Sequence, residues 1–240
     1  MTNHLLPTAT ATEERDRGAG IALLPVGSFE QHGTFLPLAT DTVIAVTVAR
    51  AIGEAVDVFE LPPVTVSCSH EHAAWHGTVS ISAATLYAVV TDIAASLRAS
   101  GVSKLVLVSG HGGNYVLGNV VQEAGAAGHA MALFPTEDDW ARARRDAGVE
   151  LSAVHDMHAG ELETSIMLHA HPELVRADHA EHDHLADDRG RFLTLGLRAY
   201  TESGVIGRPS LASAGKGRDA VRSLVDSFAG VVDALDRCGR

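Results

Sequence analysis

Three short apolar runs constrain this chain more than any other feature. IALLPVG (Ile21–Gly27), KLVLVSG (Lys104–Gly110) and HAMALFP (His129–Pro135) are too short for typical helices and apolar almost throughout. A strand reads this way when both its faces are buried, as in a parallel sheet covered by helices. Longer segments with helical spacing separate or follow them: TVIAVTVARAIGEAV (Thr42–Val56), AATLYAVVTDIAASLRASG (Ala83–Gly101), YVLGNVVQEAGAAG, GELETSIMLHAHP (Gly160–Pro172) and AGKGRDAVRSLVDSFAGVVDALDR. Thr40 or Asp41 is placed to cap the first of these helices. A further strand, interrupted by Pro62 and Pro63, is expected within Asp57–Ser67. Strand alternating with helix predicts an α/β layered sheet with parallel connections. A length of 240 residues fits one domain over 19–240, preceded by a loose polar tail over 1–18.

Composition narrows the partners. Hydrophobic residues make up 46% and aromatics only 5%, so Ala, Val and Leu must build the core. The formal net charge is -12, and the densest basic stretch is the short RARR at Arg142–Arg145, which argues against nucleic-acid binding. No apolar run approaches the roughly 20 residues that span a bilayer. The opening residues lack the basic start and apolar core of a signal peptide. Two cysteines, Cys68 and Cys238, form no CxxC pair, and a reducing cytoplasm is the expected location. Fourteen histidines is the unusual entry, because imidazole is the commonest metal ligand.

Three segments at strand or helix ends concentrate groups able to do chemistry. SFEQHGTFLPLATD (Ser28–Asp41) carries Glu30 and His32, which share a face in extended backbone, and Asp41 where the next helix begins. SGHGGN (Ser109–Asn114) follows an apolar strand and offers His111 between glycines. HDMHAGELETS (His155–Ser165) places His158 before a helix opened by Glu161 and Glu163. In open α/β sheets ligands collect where loops leave the C-terminal strand ends. Mixed imidazole and carboxylate donors suit zinc, manganese or iron(II), and a carboxylate can bridge two such ions. Each residue alone also fits a blander role: a solvated loop charge for Glu30, a core histidine for His32, a helix cap for Asp41, a first-turn acid for Glu163. Their joint placement on one sheet edge favours the metal reading. Other enzyme signatures are missing: there is no G-x-S-x-G, G-x-G-x-x-G or Walker motif, and SHEHAAWH (Ser69–His76) has Ala74 where HExxH needs its second His. Cys68 reads as a small packed side chain, and ADHAEHDHLADD (Ala177–Asp188) as a solvated loop.

Taken in order, LLPVGSFEQHGTFLPLATDTVIA, SHEHAAWHGTVSIS, LVLVSGHGGN, HAGELETSIML and ESGVIGRPSLASAGKGRDAV resemble the creatininase (creatinine amidohydrolase) family over most of the chain from Ile21. The resemblance implies a three-layer α/β/α sandwich with a largely parallel central sheet, assembled as a homohexamer. It implies two divalent ions per chain, Zn or Mn with Fe as a further option, sharing a water. Carried over by position, Glu30 and His32 each bind one ion, Asp41 bridges, and His111 binds beside Glu30. Creatininase draws a further ligand from the place that is Gly113 here, and Glu163 is the substitute the resemblance suggests. His158 matches a proton-shuttling histidine, with Glu163 sharing catalysis. The chain departs from the family at AWHGT (Ala74–Thr78), so Trp75 and His76 are expected to shape the substrate pocket, with His72, Gly112 and Gly113 also contacting substrate. His70, Glu71 and His72 are expected to touch ligands or substrate without binding metal. The implied activity is hydrolysis of an amide C–N bond in a small cyclic or formylated substrate. Two alternatives stand beside it: a peptidase trimming a modified precursor peptide of the mycofactocin type, and a non-catalytic metal-binding homologue.

Overall fold

The apolar runs do form strands buried on both faces. In the computed structural model, which describes residues 6–238, β1 (Ile21–Val26), β2 (Phe59–Glu60), β3 (Lys104–Ser109) and β4 (Ala130–Phe134) make a parallel sheet in the order β2-β1-β3-β4. The helices are α1 (Ala11–Arg17), α2 (Thr40–Ala55), α3 (Ala83–Ala99), α4 (Val116–Ala126), α5 (Glu137–Asp146), α6 (Glu161–Ala170), the single-turn α7 (Phe192–Leu195) and α8 (Ala214–Arg237). Strand periodicity divides the core in two. Leu23, Val106 and Val108 pack with Ile44 of α2, Ile166 of α6 and Phe228 of α8 on one face. Leu24, Leu105 and Leu107 pack with Val90 of α3 and Leu117 of α4 on the other. Fully burying each such side chain contributes roughly 1.5–3 kcal/mol, so both helical layers are needed to cover the sheet. This is the three-layer α/β/α arrangement expected.

Several local expectations are corrected. Neither Thr40 nor Asp41 caps α2; Ala39 holds that position without a side-chain bond, and Asp41 lies in the first turn of the helix. The strand expected within Asp57–Ser67 shrinks to two residues, and pairing resumes only as the isolated bridge Val26–Val64, because Pro62 and Pro63 bring no N–H to the ladder. The polar segment expected as a tail carries α1, opened by a Thr10–Glu13 capping box, closed by Gly18 and burying no residue; residues 1–5 lie outside the described residues. Helix α5 had no counterpart in the apolar pattern, since its sequence EDDWARARRD buries only Ala143. No helix among the described residues is long and apolar enough to cross a membrane.

Candidate metal centre

The register of the sheet builds the site. Val26 pairs with Ser109, so the loops after β1 and β3 leave the sheet side by side at its C-terminal edge. The N-terminus of α2 settles onto the same edge. A Cβ at position 110 would stand 2.2 Å from the Asp41 carbonyl oxygen, so only glycine lets the helix come this close. Asp41 is thereby delivered between His32 and His111.

The resulting cluster is polar and its centre is buried. Glu30 and His32 are 0% exposed and Asp41 1%. His32 Nε2 lies 3.1 Å from Asp41 Oδ1, and His111 Nδ1 lies 3.2 Å from Asp41 Oδ2. Glu30 Oε2 is 3.2 Å from His111 Nε2, and Glu30 Oε1 is 3.1 Å from His72 Nε2. Despite these approaches, neither Glu30 oxygen receives a hydrogen bond of acceptable geometry. His111 Nε2 faces the Cys68 carbonyl oxygen instead, at 2.9 Å. His32 Nδ1 faces the Glu30 carbonyl at 3.1 Å, a contact that fixes the ring and turns Nε2 towards Asp41. Ser28 Oγ donates to Asp41 Oδ2 at 2.6 Å.

The third segment closes the cluster. His158 pairs through its backbone with Ile206, within the ESGVIG block, and its Nε2 is 2.7 Å from the Gln31 carbonyl oxygen. Its Nδ1 is 3.9 Å from Glu30 Oε1. Buried Ala159 takes a left-handed φ of 50°, turning the chain from His158 into α6. Its N–H donates to Glu163 Oε2 at 2.6 Å, so one oxygen of this half-buried carboxylate is anchored.

Electrostatics report the same congestion. Burial pushes the Glu30 carboxyl up to about 8 and Glu163 to about 7. Burial opposes the charged imidazolium, but the Asp41 carboxylate prevails at His32 and raises it to about 9. Glu30 and Asp41 likewise overcome burial at His111 and raise it, while burial and neighbouring imidazoles lower His158 and bring His72 to about 3. Without a metal the carboxylates are balanced by protons, on His32 and His111 and on the raised Glu30 and Glu163 carboxyls; a divalent cation would take over that role with the imidazoles neutral.

Three groups of side chains have donor atoms close enough to hold an ion: Glu30, His32 and His158; Glu30, Glu71 and His111; and His32, Asp41 and Glu163. The sequence-expected ligands Glu30, His32, Asp41, His111 and Glu163 therefore all meet, but Glu163 gathers with His32 and Asp41, away from the Glu30–His111 pair. Glu71, expected to stand outside metal binding, lies with that pair instead. Of the residues expected at substrate, His72 is buried against Glu30, whereas Trp75 is half-buried with Arg198 Cζ 5.6 Å from its ring centroid. His76 and Gly112 are exposed, and Gly113 borders Glu71. Sequence reasoning passed over Gln31, whose Nε2 reaches His72 Nδ1, His158 and the Gly204 carbonyl, and Asn114, which ties Cys68 to Gly27. Both sit inside the motifs singled out, and their polarity next to buried ligands was the available signal.

Comparison with known proteins bears on the family and the fold. The family model described as creatinine amidohydrolase matches residues 7–232. The mycofactocin precursor peptide peptidase of Mycolicibacterium smegmatis is 37% identical over 220 residues, 87% of this chain and 83% of that protein. A crystal structure of creatinine amidohydrolase superposes with a TM-score of 0.80 at 25% identity, covering 94% of this chain and 95% of that one. A manganese form of creatininase gives 0.80 at 23% identity, covering 94% and 96%. The chain belongs to the creatininase family, whose members are hydrolases acting on carbon–nitrogen bonds.

Proposed function

We propose that this chain is a divalent-metal-dependent hydrolase that cleaves an amide bond in a peptide, with Glu30, His32, Asp41, His111 and Glu163 among the groups that hold two ions. The observation that carries this reading is Glu30: a fully buried carboxylate whose two oxygens lack hydrogen bonds, set beside the carboxylates of Glu71 and Asp41 and beside His111. A buried charge left this way costs several kcal/mol unless a cation completes it. Imidazole and carboxylate donors fit zinc, manganese or iron(II). The similarity to a protein named for peptide cleavage moves the substrate class from the small amide first expected towards a peptide.

When bound, paired divalent ions supply an activated water and a Lewis acid for the scissile carbonyl. The chain's own residues do the rest. Ser28 and the Glu30 carbonyl hold Asp41 and His32 in fixed orientations, so no reorganisation accompanies reaction. His158 has its Nε2 engaged at Gln31 O, leaving Nδ1 as the atom that accepts a proton and returns it to the leaving nitrogen. Trp75, braced by Arg198, lines the approach for substrate.

The test begins with metal content by plasma mass spectrometry on tag-free protein, beside Asp41→Ala. About two equivalents, lost in the variant, followed by cleavage of a peptide C-terminus but not of creatinine, is the expected result. No stoichiometric metal after reconstitution with zinc or manganese would sink the metal mechanism. Creatinine turnover without peptide cleavage would return the substrate to the small-amide class.

A further inference from the structure

We propose that Glu71 is a metal ligand of this site, reaching it through the space that Gly113 leaves open. The proposal rests on the two-ion reading above and assigns which carboxylate serves which ion.

The observation that carries it is steric. A Cβ built at Gly113 would lie 2.0 Å from Glu71 Oε1 and 2.4 Å from His111 Nε2. No L side chain fits there while those groups stay in place, so the glycine and the Glu71 carboxylate are two halves of one arrangement. Through that gap Glu71 Oε1 comes within 3.4 Å of His111 Nε2, which itself lies 3.2 Å from Glu30 Oε2. The second, independent observation is Glu30, which is 0% exposed and has neither oxygen hydrogen-bonded. A half-buried glutamate next to such a residue adds charge repulsion that the intervening His111 answers only while protonated, whereas a bound cation would answer it with the imidazole neutral and free to ligate. Glu71 is not simply hanging there. It sits on the 3-10 turn His70–His72, and Gly196 packs directly on its backbone carbonyl.

Two of the three donor triads share no residue: Glu30, His111 and Glu71 form one and His32, Asp41 and Glu163 the other, while the third, Glu30, His32 and His158, takes a residue from each. Asp41 stands between them, with Oδ1 towards His32 and Oδ2 towards His111. Glu163 is thereby committed to the second triad, and the carboxylate that completes the first comes from a different loop.

The test uses the full chain stripped of metal by chelation, in four forms: wild type, Glu71→Gln, Glu71→Asp and Glu163→Gln. Each is titrated with Mn(II) by calorimetry and followed by electron paramagnetic resonance, with melting curves of the metal-free forms to verify folding. Losing an outer contact to a ligand weakens binding roughly 10–100-fold. A direct ligand predicts more: Glu71→Gln should weaken one of two sites by more than 100-fold, leaving about one equivalent and the spectrum of an isolated Mn(II). Glu163→Gln should weaken the other site, and Glu71→Asp should bind with intermediate affinity. Two sites retained in Glu71→Gln with 100-fold weakening or less would overturn the role of Glu71. Should Glu71→Gln not fold, unchanged affinities in Glu71→Asp would overturn it equally. Fewer than two sites in the wild type would instead remove the two-ion reading itself, a result visible before any variant is compared.

Discussion

Glu161 and Glu163 are two residues apart in the first turn of one helix, yet they live in opposite environments. Two helical positions are about 200° apart, so the side chains leave on different sides. Glu161 is 0% exposed and fully partnered: Lys216 Nζ lies 2.5 Å away, and the Glu150 and Leu151 N–H groups donate to its oxygens. Asp156 beside it is completed by Arg144 and by the Glu161 and Leu162 N–H groups. Glu163 faces His32 and Asp41 instead, in the cluster where Glu30 has no hydrogen bond at all. Burial alone therefore does not mark a functional acid. A structural carboxylate carries its counter-charge within the chain, whereas a ligand carboxylate, as proposed for Glu163, takes one from outside.

The largest effect should come from emptying the second kind of site. Asp41→Ala removes a carboxylate whose two oxygens contact His32 and His111. Loss of several kcal/mol of transition-state stabilisation corresponds to a fall in kcat/KM of about 10³-fold or more, read in the peptide-cleavage assay with metal content measured in parallel. An Asp41→Ala enzyme with normal metal content and normal turnover would erase the distinction drawn between the two environments.

Glu161→Gln should do the reverse. It leaves Lys216 beside a neutral group in a largely buried pocket and should cost about 3 kcal/mol. For a chain of this size that is a fall of roughly 6–12 °C in melting temperature. Turnover per folded molecule should hold, because Glu161 touches no group of the cluster. A variant as stable as wild type but inactive would mean that the two acids had been assigned the wrong way round.

The comparison sharpens if metal is withdrawn. In chelator, Glu30→Gln should melt with wild type near pH 4.5 and increasingly above it as pH rises to about 8, since burial favours the neutral Glu30 carboxyl and the wild type alone must protonate that group, or beyond about 8 bury it ionised, in order to fold. With zinc or manganese restored the order should invert, because only the wild type gains stability from binding. Parallel melting curves with and without metal read both signs.

How much of this was legible in the sequence follows the same division. IALLPV and KLVLVS announce strands because burial on both faces leaves no polar position to confuse the period. Glu30, His32, Asp41 and His111 were legible because ligand-type residues lie within a few positions of a strand end, where local spacing suffices. Helix α5 escaped, since EDDWARARRD is held by its Thr136–Asp139 capping box and by the packing of Ala143 and Trp140, with little apolar stripe to detect. The closeness of Glu71 to Glu30 and His111 escaped for a different reason. The approach of Glu71 to Gly113 joins two loops distant in sequence, and nothing in SHEHAAWH specifies that tertiary contact. Asp41 reads equally as a cap or a ligand until the start of α2 is fixed at Thr40.

The smallest effect belongs to an acid that is partnered but exposed. Asp183 accepts from Arg208 Nε at 3.0 Å, from the Ser210 N–H at 3.0 Å and from Ser210 Oγ at 2.6 Å, tying the histidine-rich loop to the segment before α8. Partial burial opposes its ionisation, but the Ser210 hydroxyl and N–H, then Arg208, prevail and hold the carboxyl below its usual value. A carboxyl depressed in the folded chain stabilises above its unfolded pKa near 3.9, and that contribution is lost as pH falls through the lower folded value. Solvent screening keeps it small, so Asp183→Asn should cost about 0.5–1 kcal/mol at pH 7. The gap between variant and wild type should close in melting curves taken below pH 4. Were the gap instead to widen on acidification, complete partnering would not be what keeps a structural acid charged in this chain, and the contrast between Glu161 and Glu163 would need another cause.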